Sequence, residues 1–355
     1  MKQEEKELFK NLCSFKAEDF NENLLSYSTP AVLGHLFFNR MQAVAYGVLL
    51  EHGLLGKVNR EFRNSVKSAY TNNIEKNDSY FHCVQYLEQV LSACGCKYAM
   101  LKGAYLCKLY PKGYRTSNDI DLLVLPQDVT IIANTLIRAG FKQGNIRNGK
   151  FEQATRKEII ESKMMRGETV PFIKEVNLPG LTYLEVDINF SLDYKPGDTE
   201  LLVEMLDNVV VEELPGYMVH TLRRDDFFVH LCCHLYKEAS TLPWVDMMRD
   251  MTLYKYSDIY MLLNDESKEN INYLMSRAKE LGVEKICAFA VLQTSELFNF
   301  KNEYAVKVAR EILVDNVDFI HTVISPKDKK TYQFSNKNIM DRFFADSRKE
   351  LLQEV

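Results

Sequence analysis

The chain has 355 residues, 46% of them apolar and 26% charged, values of a globular protein rather than a disordered one. With 44 Lys and Arg against 49 Asp and Glu, the formal net charge is −5, which excludes the global basic footprint of a dedicated nucleic-acid binder. No run approaches the ~20 apolar residues that span a bilayer, and the opening MKQEEKELFK lacks the apolar core of a secretory signal; the expectation is a cytoplasmic protein with no membrane partner.

Residues 1–93 read as helices. Leu8, Leu12, Phe15 and Phe20 recur along the first segment, and Ser28-Thr29-Pro30 interrupts it. An apolar-periodic stretch then runs over 31–55, with Gly53 and Gly56 as stops, and a further amphipathic helix is expected over 80–92. The texture changes at Gly95. Residues 97–101 are a short, strand-like apolar run, after which Gly103 opens a helix over 104–110 that Pro111 closes. The continuous apolar run 120–125 suits a buried strand. Pro126 ends it, and Asp128 and Gly140 frame a helix over 129–139 as N-cap and C-cap. Residues 142–180 mix charges of both signs, with a helix expected near 151–165 and a loop at Pro179-Gly180. Residues 183–192 alternate as a strand. After Pro215-Gly216, helices are expected over 225–239, 245–263, 269–281, 284–299 and 303–314, and the tail from Pro326 is polar. The outline is helical, then α/β, then helical: an N-terminal helical region 1–93, an α/β core 94–215 and a C-terminal helical domain 216–355. The eight scattered cysteines show no disulfide or zinc spacing and read as reduced thiols.

The chemistry concentrates in Leu101-Lys102-Gly103-Ala104 and in the segment Arg115 to Asp121. Asp119 and Asp121 sit two apart at the start of a strand and project to one side, with Cα atoms roughly 6–7 Å apart. Like charges so close in a dry cleft repel, and a divalent cation with hard oxygen ligands removes that penalty. A bare D-x-D is otherwise most often a solvated strand end. Upstream, a strand ends at Lys102-Gly103 and a helix opens, the arrangement by which backbone N–H groups hold phosphate oxygens; Gly103 permits close approach of the backbone. Downstream, Asp187 stands mid-strand, where Asp is disfavoured unless something offsets its desolvation. A third metal carboxylate is such a reason. Glu185 lies on the same strand face and is the alternative third ligand.

The stretch LKGAYLCKLYPKGYRTSNDIDLLV resembles the core motif of the uncharacterised nucleotidyltransferase family within the DNA polymerase β-like superfamily. The resemblance spans residues 95–265 and is strongest over 101–125. It implies an α+β fold: a small mixed β-sheet nucleotidyltransferase core flanked by N-terminal and C-terminal helical regions. Lys102 and Gly103 match the family's turn, Arg115 the arginine four residues before the first acid, and Asp119 with Asp121 the metal-binding pair. VDINFSL at 186–192 looks like the segment carrying the third acid, which makes it Asp187, with Asn189 where the family has histidine. His234-Leu-Tyr-Lys237 resembles a His-x-x-Lys signature, and Asp258-Ile-Tyr a later helical motif. Two further departures are Ala104 in place of the superfamily's usual second Gly or Ser, and Tyr254 at a usually basic position, with Lys255 one residue on.

What the resemblance implies is metal-dependent transfer of a nucleoside monophosphate from a nucleoside triphosphate, ATP foremost, to an acceptor, with release of pyrophosphate. Asp119, Asp121 and Asp187 are the implied catalytic carboxylates and ligands of Mg2+, or of Mn2+ in its place. Lys102, Gly103, Arg115, Lys237 and Lys255 are implied nucleotide contacts, and Glu185, Asn189, His234 and Asp258 cleft residues. The acceptor stays open between a protein, a small molecule and an RNA end. DNA is not expected, and the N-terminal helices are expected to shape an acceptor pocket or dock a protein partner. The rival reading is a non-catalytic nucleotide-binding or regulatory module on the same fold; retention of all three acids favours the enzyme.

Overall fold

A computed structural model describes residues 1–15, 20–193, 196–214 and 216–355, without the side chains of 165 and 166. Helices α1 (Gln3–Cys13), α2 (Pro30–Phe38) and α3 (Gln42–Glu51) begin the chain. Thr29 starts α2: its hydroxyl accepts from the Val32 N–H, and Pro30 takes the first helical position. The stretch expected to be continuous over 31–55 is therefore two helices, and Arg40 between them turns to a φ of 57°. Helix α4 (Arg60–Ser92) has 33 residues, so the helix expected over 80–92 is only its end.

The next part of the chain builds a sheet from β1 (Tyr98–Met100), β2 (Asp119–Val124), β3 (Lys142–Arg147), β4 (Lys150–Gln153), β5 (Phe172–Leu178) and β6 (Leu181–Asn189). Between them lie α5 (Gly103–Leu106), α6 (Val129–Arg138) and α7 (Arg156–Arg166). Two expectations need correction here. The helix placed near 151–165 starts only at Arg156, where Thr155 and Glu158 form a capping box, and the residues before it form the β3–β4 hairpin. Asp128 precedes α6 but makes no capping hydrogen bond; the turn Pro126–Asp128 leads into the helix instead. The strand order is β1-β2-β6-β5-β3-β4, with β2 and β6 parallel and the other neighbours antiparallel. A hairpin of β7 (Val210–Leu214) and β8 (Tyr217–Thr221) follows α8 (Thr199–Asp207). Thr221 Oγ1 of β8 donates to the Met100 carbonyl at 2.8 Å, which covers the β1 edge.

The period-two alternation of the central strands divides this sheet cleanly. Ile120, Leu122 and Val124 of β2 and Leu184, Val186 and Ile188 of β6 are fully buried. They pack with Val84, Leu87 and Leu91 of α4 and with Ile132 and Leu136 of α6. Each such side chain contributes about 1.5–3 kcal/mol by leaving water. The intervening residues of the same strands face the other way, and among them are the acids of interest.

The remaining elements are α9 (Arg224–Ala239), α10 (Leu242–Asp246), α11 (Leu253–Leu263), α12 (Lys268–Glu280), α13 (Glu284–Leu297), α14 (Glu303–Ile312), β9 (Thr322–Ile324), β10 (Thr331–Phe334), α15 (Ile339–Phe343) and β11 (Leu352–Glu354). Pro215, expected to mark the return to helices, lies outside the described residues. The helix expected over 245–263 is again two, α10 and α11, with Met248 at a φ of 57° between them. The polar tail is not structureless: β9, β10 and β11 form a three-stranded antiparallel sheet.

By internal packing the chain divides into two units, one of residues 72–230 and one of residues 1–71 with 231–355. In the second, Phe9 lies 5.7 Å from Phe343 and Phe15 stacks on Tyr260 at 5.3 Å, which ties the chain's start to its later helices. Helix α13 is buried nearly all round, from Cys287 to Leu292, as the centre of a helical core is. The fold is α+β, a mixed sheet with helices on either side of it in sequence. Among the described residues no helix is long and apolar enough to cross a membrane. The eight cysteines are free thiols.

Candidate active site

The parallel pairing of β2 with β6 sets Asp121 directly beside Asp187, and Asp119 beside Glu185. Partners in register on neighbouring strands share a sheet face, at a strand spacing of roughly 5 Å. The same face continues to Asn189, which bridges Glu168 on the segment leading into β5. Five carboxylates, those of Asp119, Asp121, Glu168, Glu185 and Asp187, therefore belong to one patch opposite the apolar core.

Two lysines stand against them. Lys102 Nζ donates to Asp121 Oδ1 at 3.0 Å. Lys102 reaches this carboxylate because the Leu101 N–H donates to the Asp121 carbonyl at 2.9 Å, after which the chain turns sharply. At Lys102 that turn has φ 46° and ψ −113°, a conformation that costs a side-chain-bearing residue on the order of 1–3 kcal/mol. The second cation, Lys76, comes from α4 and escaped the sequence reading. Its Nζ donates to Asn118 Oδ1, and its charge bears on Glu185. Tyr80, one helical turn on, donates to the Asp119 carbonyl at 3.1 Å. Lys76 lies in a polar stretch that pointed to no site, and Tyr80 was read only as the start of the helix expected over 80–92.

Gly103 meets a need that its place in the sequence did not show. A Cβ there would stand 2.5 Å from Ser117 Oγ, 2.8 Å from Tyr80 Oη and 3.0 Å from Arg115 Nη1. The glycine admits these side chains against the turn. Arg115 in turn donates to Ser117 Oγ and lies 5.9 Å from the Tyr110 ring. The helix expected over 104–110 shrinks to the four residues of α5 and a 3-10 turn, Cys107–Leu109. So short a helix has little dipole to offer a phosphate, and Lys102 and Arg115 are the local positive charges.

Electrostatics single out Asp187. Burial and then the charges of Asp121, Asp119 and Glu168 push its carboxyl up to about 8, and Lys102 only partly opposes them. Glu185 is raised in the same direction by burial and Asp119, with Lys76 opposing. Asn189 leaves its Nδ2 buried with no acceptor among the described residues. The donor set, hard carboxylate oxygens in excess of nearby cations, fits a divalent ion such as Mg2+. Among the described residues no three acidic, His or Cys side chains close into a cage; Asp121 is turned to Lys102 instead.

The remaining candidates belong to the other unit. Lys255 is ion-paired with Glu238, and its Nζ lies 4.5 Å from the ring of Trp244. His234 Nε2 is 3.7 Å from Glu238 Oε1. Asp258 is buried, and Lys237 is exposed on α9. Lys255 is thereby held in its own unit by a carboxylate and an indole.

No curated protein matches the chain, whereas the family model for an uncharacterised nucleotidyltransferase matches residues 30–299, a span that takes in the acidic face, the Lys102 turn and helices α9 to α13. The chain belongs to this uncharacterised nucleotidyltransferase family.

Proposed function

We propose that the protein is a metal-dependent enzyme that transfers a nucleoside monophosphate from a nucleoside triphosphate to an acceptor and releases pyrophosphate. The observation that carries this reading is the β2–β6 register, which sets Asp121 beside Asp187 and Asp119 beside Glu185 on the face opposite the core. Asp119, Asp121 and Asp187 are the residues to hold Mg2+, with Mn2+ as a substitute. The bound ion supplies charge neutralisation of the triphosphate and activation of the acceptor oxygen. The protein's own share would be positioning: Lys102 and Arg115 would orient phosphate oxygens, and Lys102, ion-paired with Asp121 here, would turn from that carboxylate to the triphosphate. Asp187, whose carboxyl burial and its acidic neighbours raise in the metal-free protein, would give up that proton beside a bound cation and, once ionised, would serve as base for the acceptor group.

The test pairs two measurements on the full chain, calorimetric titration with Mg2+ and each of the four ribonucleoside triphosphates, and pyrophosphate release in the presence of cell lysate as acceptor source. Binding of one triphosphate with release of pyrophosphate, and label transferred to an acceptor, supports the enzyme. Tight binding with no release supports the rival, a nucleotide-binding module. Absence of both overturns the reading of the acidic face.

A further inference from the structure

Within the unit of residues 72–230, the chain from Tyr110 to Asn118 joins the 3-10 turn Cys107–Leu109 to β2 without a helix or strand of its own. Arg115 stands in the middle of this loop, and Asp119 follows at its end. With no backbone ladder to place it, such a stretch takes its position from the side chains it bonds to. Three residues of α4 provide that support: Asn73, Lys76 and Tyr80, spaced three and four apart and so on one face of the helix. Lys76 Nζ donates to Asn118 Oδ1, and the Tyr80 hydroxyl donates to the Asp119 carbonyl at 3.1 Å. These two hold the approach to β2.

Asn73 holds the part that carries Arg115. It is buried, and its amide bonds to the loop twice: Nδ2 donates to the Gly113 carbonyl at 3.0 Å, and Oδ1 accepts from the Thr116 hydroxyl at 2.9 Å. The Gly113 carbonyl can only accept, so the amide nitrogen has to face it, which leaves the oxygen for Thr116. Gly113 presents that carbonyl from a turn closed by the Tyr114 N–H on the Pro111 carbonyl, at a φ of 82° that favours glycine. The two bonds of Asn73 therefore fix the chain on either side of Tyr114 and Arg115. Further on, Arg115 donates to Ser117 Oγ, and a Cβ on Gly103 would stand 3.0 Å from Arg115 Nη1. The guanidinium thus lies against the Lys102–Gly103 turn, and the stretch of loop that brings it there is tied to α4 through one asparagine.

We propose that Asn73 is a positioning residue for triphosphate binding: by clamping the loop before and after Arg115, it keeps that guanidinium at the Lys102–Gly103 turn, where it would meet phosphate oxygens. The inference rests on the nucleotidyl-transfer reading of the acidic face. Asn73 acts through Arg115, since the loop takes up both polar atoms of its amide. A guanidinium donates in a rigid fork, so its direction matters as much as its charge. Misplacing such a group by roughly 1 Å costs up to about 100-fold in rate, and a side chain on an irregular loop is only as well placed as its backbone. Loss of the clamp frees the loop and Arg115 with it, while Asp119 and Asp121 keep their places through the pairing of β2 with β6.

Calorimetry on the full chain in Mg2+, with whichever of the four ribonucleoside triphosphates the parent binds tightest, tests this. Arg115→Ala should weaken binding about tenfold or more, and Asn73→Ala several-fold. The double variant should bind no more weakly than Arg115→Ala alone, because a clamp that acts through Arg115 then has nothing left to position. Thr116→Ser, which keeps the hydroxyl, should bind as the parent does, whereas Thr116→Val should lose several-fold. If circular dichroism shows Asn73→Ala unfolded, the same cycle is run with Thr116→Val in its place. Losses that add in the double variant would make Asn73 a general support of the fold and overturn the proposal. Parent-like binding by Asn73→Ala, or equal binding by the two Thr116 variants, overturns it as well. A parent that binds none of the triphosphates, or an Arg115→Ala variant that binds like the parent, overturns the reading of the site itself and the proposal with it.

Discussion

The sheet unit and the helical unit handle buried charge in opposite ways. In the helical unit burial pushes the Asp250 carboxyl up, but Arg348 forks onto it and pulls it back. That pair is a structural solution, with each hydrogen-bonding edge met. In the sheet unit Asp187 has burial and three like charges acting in one direction, with a single lysine opposing. A fold that can build the Asp250–Arg348 pair is not short of means to neutralise a buried acid. That Asp187 is nevertheless left with its charge opposed by so little is the contrast on which the proposed cation site rests.

Removing the two kinds of acid should separate these roles. Asp121→Ala or Asp187→Ala should reduce pyrophosphate release by orders of magnitude, about a hundredfold at least, while leaving the urea unfolding midpoint of the metal-free protein unchanged or higher. Near-normal turnover in either variant breaks the comparison at its functional end. Asp250→Ala should do the reverse: a loss of about 3–5 kcal/mol in unfolding free energy, because Arg348 is then buried without its carboxylate and Arg342 loses the charge of the same residue. A loss below about 1 kcal/mol, measured by urea titration, would show that the interior does not depend on this pair.

The acidic face was legible in the sequence because two signals coincide there. The continuous apolar run after Asp121 fixed a buried strand, and the alternation through Glu185, Asp187 and Asn189 fixed which residues leave the core. What joins the two strands, their parallel register, is a long-range pairing that no local pattern carries. Lys76 was invisible for a related reason: it stands among polar residues of α4, between the buried Phe62 and Val66 and the later side chains that pack on the sheet core, and only the path of the helix in three dimensions brings it to Asn118. The two misjudged helices share another cause. Arg40 and Met248 adopt positive φ without the glycine that normally announces it, so the breaks at 39–41 and 247–252 carry no composition signal. The β3–β4 hairpin and the C-terminal sheet are short and rich in polar residues, and strand pairing there outweighs weak local preference.

A smaller effect sharpens the contrast through pH. Asp187 holds its proton up to about 8 in the folded chain, against roughly 3.9 for an unperturbed carboxyl. Between those values the native state binds a proton that the unfolded chain releases, so stability of the metal-free protein falls as pH rises through that window and levels off above it. Asp187→Asn should flatten this fall, gaining on the order of 1–3 kcal/mol at pH 9 relative to the parent once partial exposure is discounted. Millimolar Mg2+ should restore the parent at pH 9 and leave the Asn variant nearly unaffected. A parent whose urea midpoint is flat from pH 5 to 9 in chelator would remove Asp187 as an uncompensated acid.

The smallest expected effect isolates the backbone at the turn. Lys102 combines an ion pair to Asp121 with a φ of 46°, and replacing it changes both. Comparing Lys102→Gly with Lys102→Ala cancels the lost charge, since both delete it, and leaves only the cost of a Cβ in that conformation. Glycine should then be the more stable of the two by about 1 kcal/mol, read as a difference of urea midpoints at constant slope. Both variants should lose affinity for the triphosphate, because the ammonium is gone from each. Should alanine equal glycine in stability, the turn relaxes at no cost, and the strained backbone is not what holds Lys102 against the acidic face; Asp121 alone would then draw the lysine in, and a bound cation would release it without resistance from the chain.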